Sequence, residues 1–477
     1  MAFKTRLYIG GTWRDASDMA TFEVLDPATA EPLTNVASAT VEDALAAVDA
    51  ASDAAADWAA RTPRARCDVL ARAYALFHER LDRFVELITL ENGKGYADAK
   101  SEAVYAAEFF RWYAEEGVRV PGHLGHAPAS GARTLVHAKP AGIALLITPW
   151  NYPAAMATRK IAPALAAGCT MLIKPASETP LTMLELARLL DDAGVPPGVV
   201  NMIPTRWSGA VVEAVLADRR VRVLSFTGST EVGRKLLGVA ARTVVNPAME
   251  LGGNAPFIVF NDADLEVAVE GFMVAKLRNL GSACTAANRI YLQDGIHDAF
   301  VDRAVERVRA LKTGPGIDRA VDIGALVNSA TRKKVHAFVV DAVDRGAQIR
   351  IGGTLPDSKG FFYPPTILTD VAGDADCVRG EIFGPVAAIQ RFESEDEVVA
   401  KANDTEYGLV AYVFSGNMAR GLGISERLDY GMIGLNRGLV SDPSAPFGGT
   451  KQSGIGREGG ADGLGEFLEK QYISTLW

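Results

Sequence analysis

Cysteine is scarce in this chain: four residues in 477, Cys67, Cys169, Cys284 and Cys377, stand far apart, with no CxxC pair and no histidine at ligand spacing. That pattern excludes a disulfide framework, argues against a metal site and suits a reducing cytoplasm. Basic runs are absent too. Acidic residues outnumber basic ones 58 to 49, for a net charge of -9, so no stretch tracks a phosphate backbone and nucleic acid is not an expected partner. An export signal is also missing, because residues 1–11 alternate charged and apolar side chains without the apolar core of a signal peptide. Long apolar runs are lacking with one exception. Residues 140–158 carry no charged side chain and approach the roughly 20 positions that a membrane helix needs. Pro149 and Pro153 bracket Asn151 there, which fits a strand ending in a turn and not a spanning helix, so no membrane partner is expected.

What the chain does have is apolar substance. Hydrophobic residues make up 48% and charged residues 22%, enough for a large core, and the length implies two or three domains. The first third is helical by pattern. Residues 41–60 and 99–116 are alanine-rich, and Thr62-Pro63 reads as an N-cap followed by proline at the first helical position. Leu70, Ala73, Phe77, Leu81, Phe84 and Ile88 then recur every three or four residues, as on the buried face of one amphipathic helix.

From residue 141 the period switches. Strands at 143–148, 170–174, 199–203, 222–226 and 244–249 alternate with helices at 156–167, 181–192, 209–216 and 230–241. Short βα repeats with apolar strands predict a parallel sheet covered on both faces, with a nucleotide site at the strand carboxyl ends. A second run starts at 257–260 and carries helices at 265–280, 299–311 and 330–345, which predicts a second α/β domain. No repeat of about 20 to 50 residues is visible.

One literal GxGxxG occurs, Gly454-Ile-Gly456-Arg-Glu-Gly459. No strand precedes it and too little chain follows it for a βαβ unit of roughly 30 residues, so it reads as a tight turn. Phe226-Thr-Gly-Ser-Thr-Glu-Val-Gly233 is the better phosphate candidate, since it follows an apolar strand and opens a helix whose free N–H groups face an anion. An ordinary capped strand-helix turn has the same form.

Three residues stand where chemistry is possible. Asn151, between two prolines at a strand end, can donate to an oxyanion or satisfy its own turn. Glu250 ends a strand beside Gly252 and Gly253 and can reach a water or sit solvated in a turn. Cys284 lies among small residues that leave its sulfur accessible, whereas Cys169 and Cys377 read as packing cysteines.

In combination these signals are specific. From about Tyr8 to the C-terminus the chain resembles the aldehyde dehydrogenase superfamily, through Pro149-Trp-Asn-Tyr-Pro153, Lys174-Pro-Ala-Ser-Glu-Thr-Pro180, Phe226-Thr-Gly-Ser-Thr230, Glu250-Leu-Gly-Gly253, Cys284 and Glu381-Ile-Phe-Gly-Pro385, in family order. The resemblance implies an α/β fold of two domains plus a small β oligomerisation element. A Rossmann-like NAD(P)-binding domain would take residues 1–125 and 141–250, a catalytic domain 251–440, and the oligomerisation element 126–140 and 460–477. A homodimer or homotetramer is then expected.

By the same resemblance Cys284 is the nucleophile, Asn151 the oxyanion donor and Glu250 the base that activates water. The cofactor, NADP or NAD, would rest on Thr148, Pro149 and Trp150 after the first sheet strand. Lys174 and Ser177 would meet the adenine ribose or its 2′-phosphate, and Gly209, Gly228 and Ser229 would stand at helix starts near the pyrophosphate. Leu251, Glu381 and Phe383 would border the nicotinamide and its ribose. Ser177 stands where a ribose-binding glutamate is usual, which favours acceptance of a 2′-phosphate.

Within the superfamily, Thr158-Arg-Lys-Ile-Ala-Pro163, Lys276-Leu-Arg-Asn279 and Ala445-Pro-Phe-Gly-Gly-Thr-Lys-Gln-Ser-Gly-Ile-Gly-Arg457 resemble the succinate-semialdehyde dehydrogenases. In that branch Arg159, Arg278 and Ser441 would hold the substrate carboxylate. The sequence departs from the branch at Ser282, where glutamine is usual, and at Ala286, where many members carry a second cysteine. Glu250 argues against a CoA-acylating relative, and Cys284 with Asn151 against a catalytically silent one. An aromatic or aliphatic aldehyde is the rival substrate.

Overall fold

The computed structural model describes residues 3–477, so the first two residues of the segment read for export lie outside it. Four short strands, Leu7–Ile9, Thr12–Arg14, Thr21–Asp26 and Glu31–Ala37, precede the helices and were not foreseen. Four helices follow: α1 (Val41–Ala60), α2 (Pro63–Glu79), α3 (Leu81–Asn92) and α4 (Tyr96–Glu116). Helix α1 starts in a capping box between Thr40 and Asp43, and α2 starts at the foreseen Thr62-Pro63 cap. The single amphipathic helix expected through Ile88 is two helices, broken at Arg80. The buried face runs across the break because Phe77 stacks on Phe84 at 4.0 Å, so apolar spacing alone conceals it.

An eight-stranded sheet runs in the order Thr12–Arg14, Leu7–Ile9, Val200–Met202, Thr170–Lys174, Ile143–Ile147, Val221–Thr227, Asn246–Glu250, Gly454–Ile455. Its five central strands are parallel. Ile143–Ile147 and Thr170–Lys174 are buried at every position, as strands covered on both faces must be. Chain order reverses on either side of Ile143–Ile147, which makes its carboxyl end the topological switch point where doubly wound sheets bind ligands. Helix α5 (Pro153–Ala167) leaves from that point and is wholly buried.

The second sheet has seven strands, Gln348–Ile351, Thr366–Thr369, Val386–Phe392, Ala287–Gln293, Ala255–Val259, Val410–Phe414 and Met432–Leu435, parallel except at the Gln348–Ile351 edge. Separate buried clusters cover the two large sheets. A third, antiparallel sheet joins Leu468–Thr475, Arg133–Pro140 and His123–His126, with Gln471 opposite His137.

Two expected elements differ where the site is built. The helix read over 265–280 is helical only over Leu265–Phe272; it widens to a π turn over Met273–Leu277 and closes in a 3-10 turn over Arg278–Gly281. Asn279 and Leu280 there are left-handed, at φ 52° and 53°. The strand read from 244 starts at Asn246, because Val244 is itself left-handed at φ 55° and fully in solvent.

Candidate active site

One cavity of about 280 Å³ opens where the two large sheets meet, lined by Cys284, Glu250 and Asn151 together. Each arrives from a chain end that the sheets fix. Asn151 follows Ile143–Ile147, Glu250 ends Asn246–Glu250, and Cys284 precedes Ala287–Gln293. The loop after Glu250 packs so closely on the cysteine loop that a Cβ on Gly253 would stand 2.3 Å from the Cys284 carbonyl oxygen. Only glycine permits that approach.

Cys284 is the one of the four cysteines that is not fully buried. Burial and the Glu250 charge push its thiol well above the usual range, while Arg159 pulls it down. Glu250 is buried with neither carboxylate oxygen hydrogen-bonded, and burial, then repulsion by Glu458, raises its carboxyl to about 7. A carboxyl tuned to that range can take a proton near neutral pH. Asn151 Nδ2 donates to the Ser282 carbonyl at 2.9 Å, which fixes the amide plane and leaves its second N–H available.

The expected cofactor residues divide in two. Pro149, Trp150, Gly228, Ser229, Leu251, Glu381 and Phe383 line the cavity with the nucleophile. Trp150 and Phe383 meet edge to face at 5.3 Å. Glu381 accepts from the Gly253 N–H at 3.1 Å, and burial lifts its carboxyl to about 7. Thr148, Lys174, Ser177 and Gly209 do not line the cavity and continue along the carboxyl edge of the same sheet.

Those outer residues fit a bound dinucleotide. Lys174, adjacent in register to Ile147, is a buried ammonium without a hydrogen bond or ion pair among the described residues, and burial lowers its pKa. A Cβ on Gly209, at the start of helix Ser208–Ala217, would meet nothing within 4 Å. Ser229 caps helix Thr230–Ala240 through the Val232 N–H at 3.4 Å, so its hydroxyl is committed to the helix while the helix N-terminus stays free for an anion. The Thr148 and Thr227 hydroxyls are buried without partners. Ser177 Oγ donates to Glu178 at 3.2 Å.

The two arginines expected to meet a carboxylate both line the cavity but differ in their partners. Arg159, 2% exposed, bonds to Glu458 at 3.4 Å and the Tyr105 hydroxyl at 2.8 Å, and lies 4.1 Å from the centroid of the Phe447 ring. Lys160 holds the other oxygen of Glu458. Burial opposes the Glu458 charge, but Lys160 and Arg159 outweigh it and keep the carboxyl below its usual value. Arg278 lines the same cavity without a salt bridge among the described residues, the Asp98 carboxylate acting on it from a distance; its guanidinium faces the Tyr152 ring at 5.7 Å. Ser441 also lines the cavity.

The GxGxxG segment is not the tight turn expected: its first two residues, Gly454–Ile455, form the edge strand of the first sheet and follow the short strand Thr450–Lys451. Gly454 pairs with Glu250 at the sheet edge, so close that a Cβ would stand 2.0 Å from the Met249 carbonyl oxygen. Sequence reasoning missed Glu458, Lys160, Tyr105, Lys94, Glu102 and Asn279. One signal was present: Lys94, Asp98 and Glu102 recur every fourth residue beside alanines that are buried, an unusual place for charge. Among the described residues no cluster could hold a metal ion, and no helix is long and apolar enough to cross a membrane.

Comparison with known proteins agrees with this geometry. The aldehyde dehydrogenase family matches residues 13–473. A succinate-semialdehyde dehydrogenase of Paenarthrobacter nicotinovorans is 48% identical, over 92% of this chain and 98% of its own. A glutarate-semialdehyde dehydrogenase of Pseudomonas putida is 45% identical, over 99% and 98%. The crystal structure of a succinate-semialdehyde dehydrogenase from Burkholderia pseudomallei superposes with a TM-score of 0.97 at 44% identity, over 99% and 98%. The chain belongs to the aldehyde dehydrogenase family. It is an NAD(P)-dependent aldehyde dehydrogenase of the branch that includes the succinate-semialdehyde dehydrogenases.

Proposed function

We propose that this enzyme oxidises a short aldehyde bearing a terminal carboxylate, succinate semialdehyde first among them, to the dicarboxylic acid. The observation that carries this reading is Arg278, a cavity cation that forms no salt bridge among the described residues and feels the Asp98 charge only from a distance, in the same cavity as Cys284. A guanidinium in such a place is best satisfied by an anionic substrate. Ser441 adds a hydroxyl beside it. The apolar walls, among them Trp150, Phe383 and Phe447, favour as second reading an aromatic or aliphatic aldehyde.

The chemistry follows from the three central groups. Cys284 gives up its proton by way of Glu250 to solvent, which leaves the carboxylate free again, and the sulfur adds to the aldehyde carbon. The oxyanion accepts from the free Asn151 N–H and from the Cys284 backbone N–H. NAD(P), when bound, takes up the hydride that leaves the aldehyde carbon. What remains on Cys284 is a thioester. Glu250 then accepts a proton from water as its oxygen attacks the carbonyl; the C–S bond breaks and the acid leaves. Lys174, Ser177, Gly209 and Thr148 would hold the adenosine and phosphate side of the cofactor.

The division of the chain into a cofactor domain (1–125 and 141–250), a catalytic domain (251–440) and an oligomerisation element (126–140 and 460–477) belongs to the same reading. So do a homodimer or homotetramer joined through the third sheet, whose Tyr472 and Ile473 are exposed, as is Trp477 just beyond it, and a cytoplasmic site of action. Comparing kcat/KM for succinate semialdehyde, glutarate semialdehyde, butyraldehyde and benzaldehyde, with NAD and with NADP, tests it. A preference for the uncharged aldehydes overturns it.

A further inference from the structure

Beneath the cavity lies a charged pair that the chemistry above does not use. Lys94 and Glu102 are both fully buried, with Lys94 Nζ 2.5 Å from Glu102 Oε2. The other carboxylate oxygen of Glu102 accepts from the Ala154 N–H at 2.8 Å and the Ala155 N–H at 3.4 Å. These are the first N–H groups of α5, since Pro153 has none. Lys94 Nζ in turn donates at 2.7 Å to the backbone carbonyl of Asn151, and lies 4.2 Å from the centroid of the Tyr152 ring.

A second donor meets that carbonyl from across the cavity. Asn279 Nδ2 stands 2.9 Å from the Asn151 carbonyl oxygen and 3.0 Å from that of Ser282, and the Asn279 N–H is held by Asp98 at 2.8 Å. Backbone next to Lys94 is anchored too, because the Gly93 carbonyl accepts from Ala325 N–H at 2.8 Å. The peptide carrying the oxyanion amide is thus gripped from both sides of the seam between the large sheets. Burying a full charge pair is costly, and a lysine that served only to neutralise Glu102 would not need a peptide carbonyl as its second acceptor.

We infer that Lys94 is a positioning residue for the aldehyde oxidation: with Glu102 and Asn279 it clamps the Asn151 peptide so that the side-chain amide meets the oxyanion as it forms. This rests on the reading of Asn151 as oxyanion donor. A donor displaced by a fraction of an ångström forfeits part of its stabilisation of the oxyanion, whereas substrate and cofactor in the ground state barely register the change.

The test is a double-mutant cycle on the full-length enzyme, read by the burst of NAD(P)H in stopped flow. Lys94→Met should slow the burst about 10- to 100-fold, with KM for the aldehyde and Kd for the cofactor within about threefold of wild type, and Lys94→Arg should recover part of the loss. In an Asn151→Ala background the same Lys94→Met should add less than about threefold, because no amide is left to aim. Should Lys94→Met not fold, Lys94→Gln with Glu102→Gln, a neutral pair of similar volume, enters the same cycle. An equal loss in both backgrounds, or none in either, overturns the role of Lys94 while leaving Asn151 in place. A normal burst in Asn151→Ala alone instead overturns the oxyanion reading, and the clamp with it.

Discussion

Arg159 is already paired, at 3.4 Å, with Glu458, a residue 299 positions further along the chain. The cavity therefore has one arginine in a salt bridge of its own and one, Arg278, without a salt bridge among the described residues. That asymmetry decides how the substrate prediction must be framed.

Arg278→Ala should lower kcat/KM for succinate semialdehyde about 30- to 1000-fold, equivalent to about 2–4 kcal/mol, and leave butyraldehyde within a fewfold. Arg159→Ala should behave differently. It strands the buried Glu458 charge beside Lys160, so both aldehydes should suffer and Tm should fall. Steady-state kinetics on both substrates, with a melting curve for each variant, separate the two. A loss selective for the anionic aldehyde in Arg159→Ala, with Arg278→Ala neutral, would reverse the assignment.

Glu250 should govern turnover with a pH dependence centred near its raised value. Its carboxyl titrates at about 7 in the fold, so the deacylation rate should climb as pH rises through that value and level off above it. Glu250→Gln should keep an NAD(P)H burst near one equivalent per active site if Cys284 can still shed its proton to water, yet lose steady turnover. The stability sign is opposite to the rate. A carboxyl raised in the fold contributes stability below about pH 4, its unfolded range, and loses that contribution progressively up to about 7. The Tm of Glu250→Gln relative to wild type should therefore be higher at pH 8 than at pH 5. A flat pH–rate profile from pH 6 to 8 contradicts the base assignment.

Among the cysteines only Cys284 should be essential. Burial raises all four thiols, so access decides: Cys67, Cys169 and Cys377 are buried away from the cavity that Cys284 lines, where no aldehyde reaches them. Cys284→Ala should abolish the burst, while alanine at each other site should leave kcat/KM within about threefold. Residual full oxidation in Cys284→Ala ends the covalent mechanism.

Cofactor choice turns on Ser177. Its uncharged hydroxyl, three residues after Lys174, would admit a 2′-phosphate that a carboxylate would repel, so NADP should be accepted at least as well as NAD. Ser177→Glu should move the NAD-to-NADP ratio of kcat/KM about tenfold or more toward NAD by like-charge repulsion. The adjacent Glu178 is the counterweight, and a wild-type enzyme strongly favouring NAD would show that it prevails.

How far the sequence revealed this site depends on the range of each determinant. Asn151, Glu250 and the Phe226-Thr-Gly-Ser-Thr230 turn were legible because alternating apolar strands announce their carboxyl ends, and chemistry in such sheets gathers there. Cys284 was legible from its small neighbours and from motif order. The pairing of Arg159 with Glu458 was not, since nothing local joins residues so far apart. Residues 273–281 hid for another reason: their apolar spacing continues the preceding helix, while the turn is made by left-handed Asn279 and Leu280, neither of which signals that backbone as glycine would. Lys94 and Glu102 were hidden by charge itself, which on a helix ordinarily marks the solvent side.

The edge strand Gly454–Ile455 ties the site to the last part of the chain to be synthesised. It completes the backbone partnership of Glu250, and the same short stretch delivers Glu458 to Arg159 and Lys160. A ribosome that has translated as far as residue 445 has already made the nucleophile, the amide and the general base, but not the segment that seats them. A chain ending there would carry every central residue but lack the strand that pairs with Glu250 and the carboxylate that holds Arg159 and Lys160.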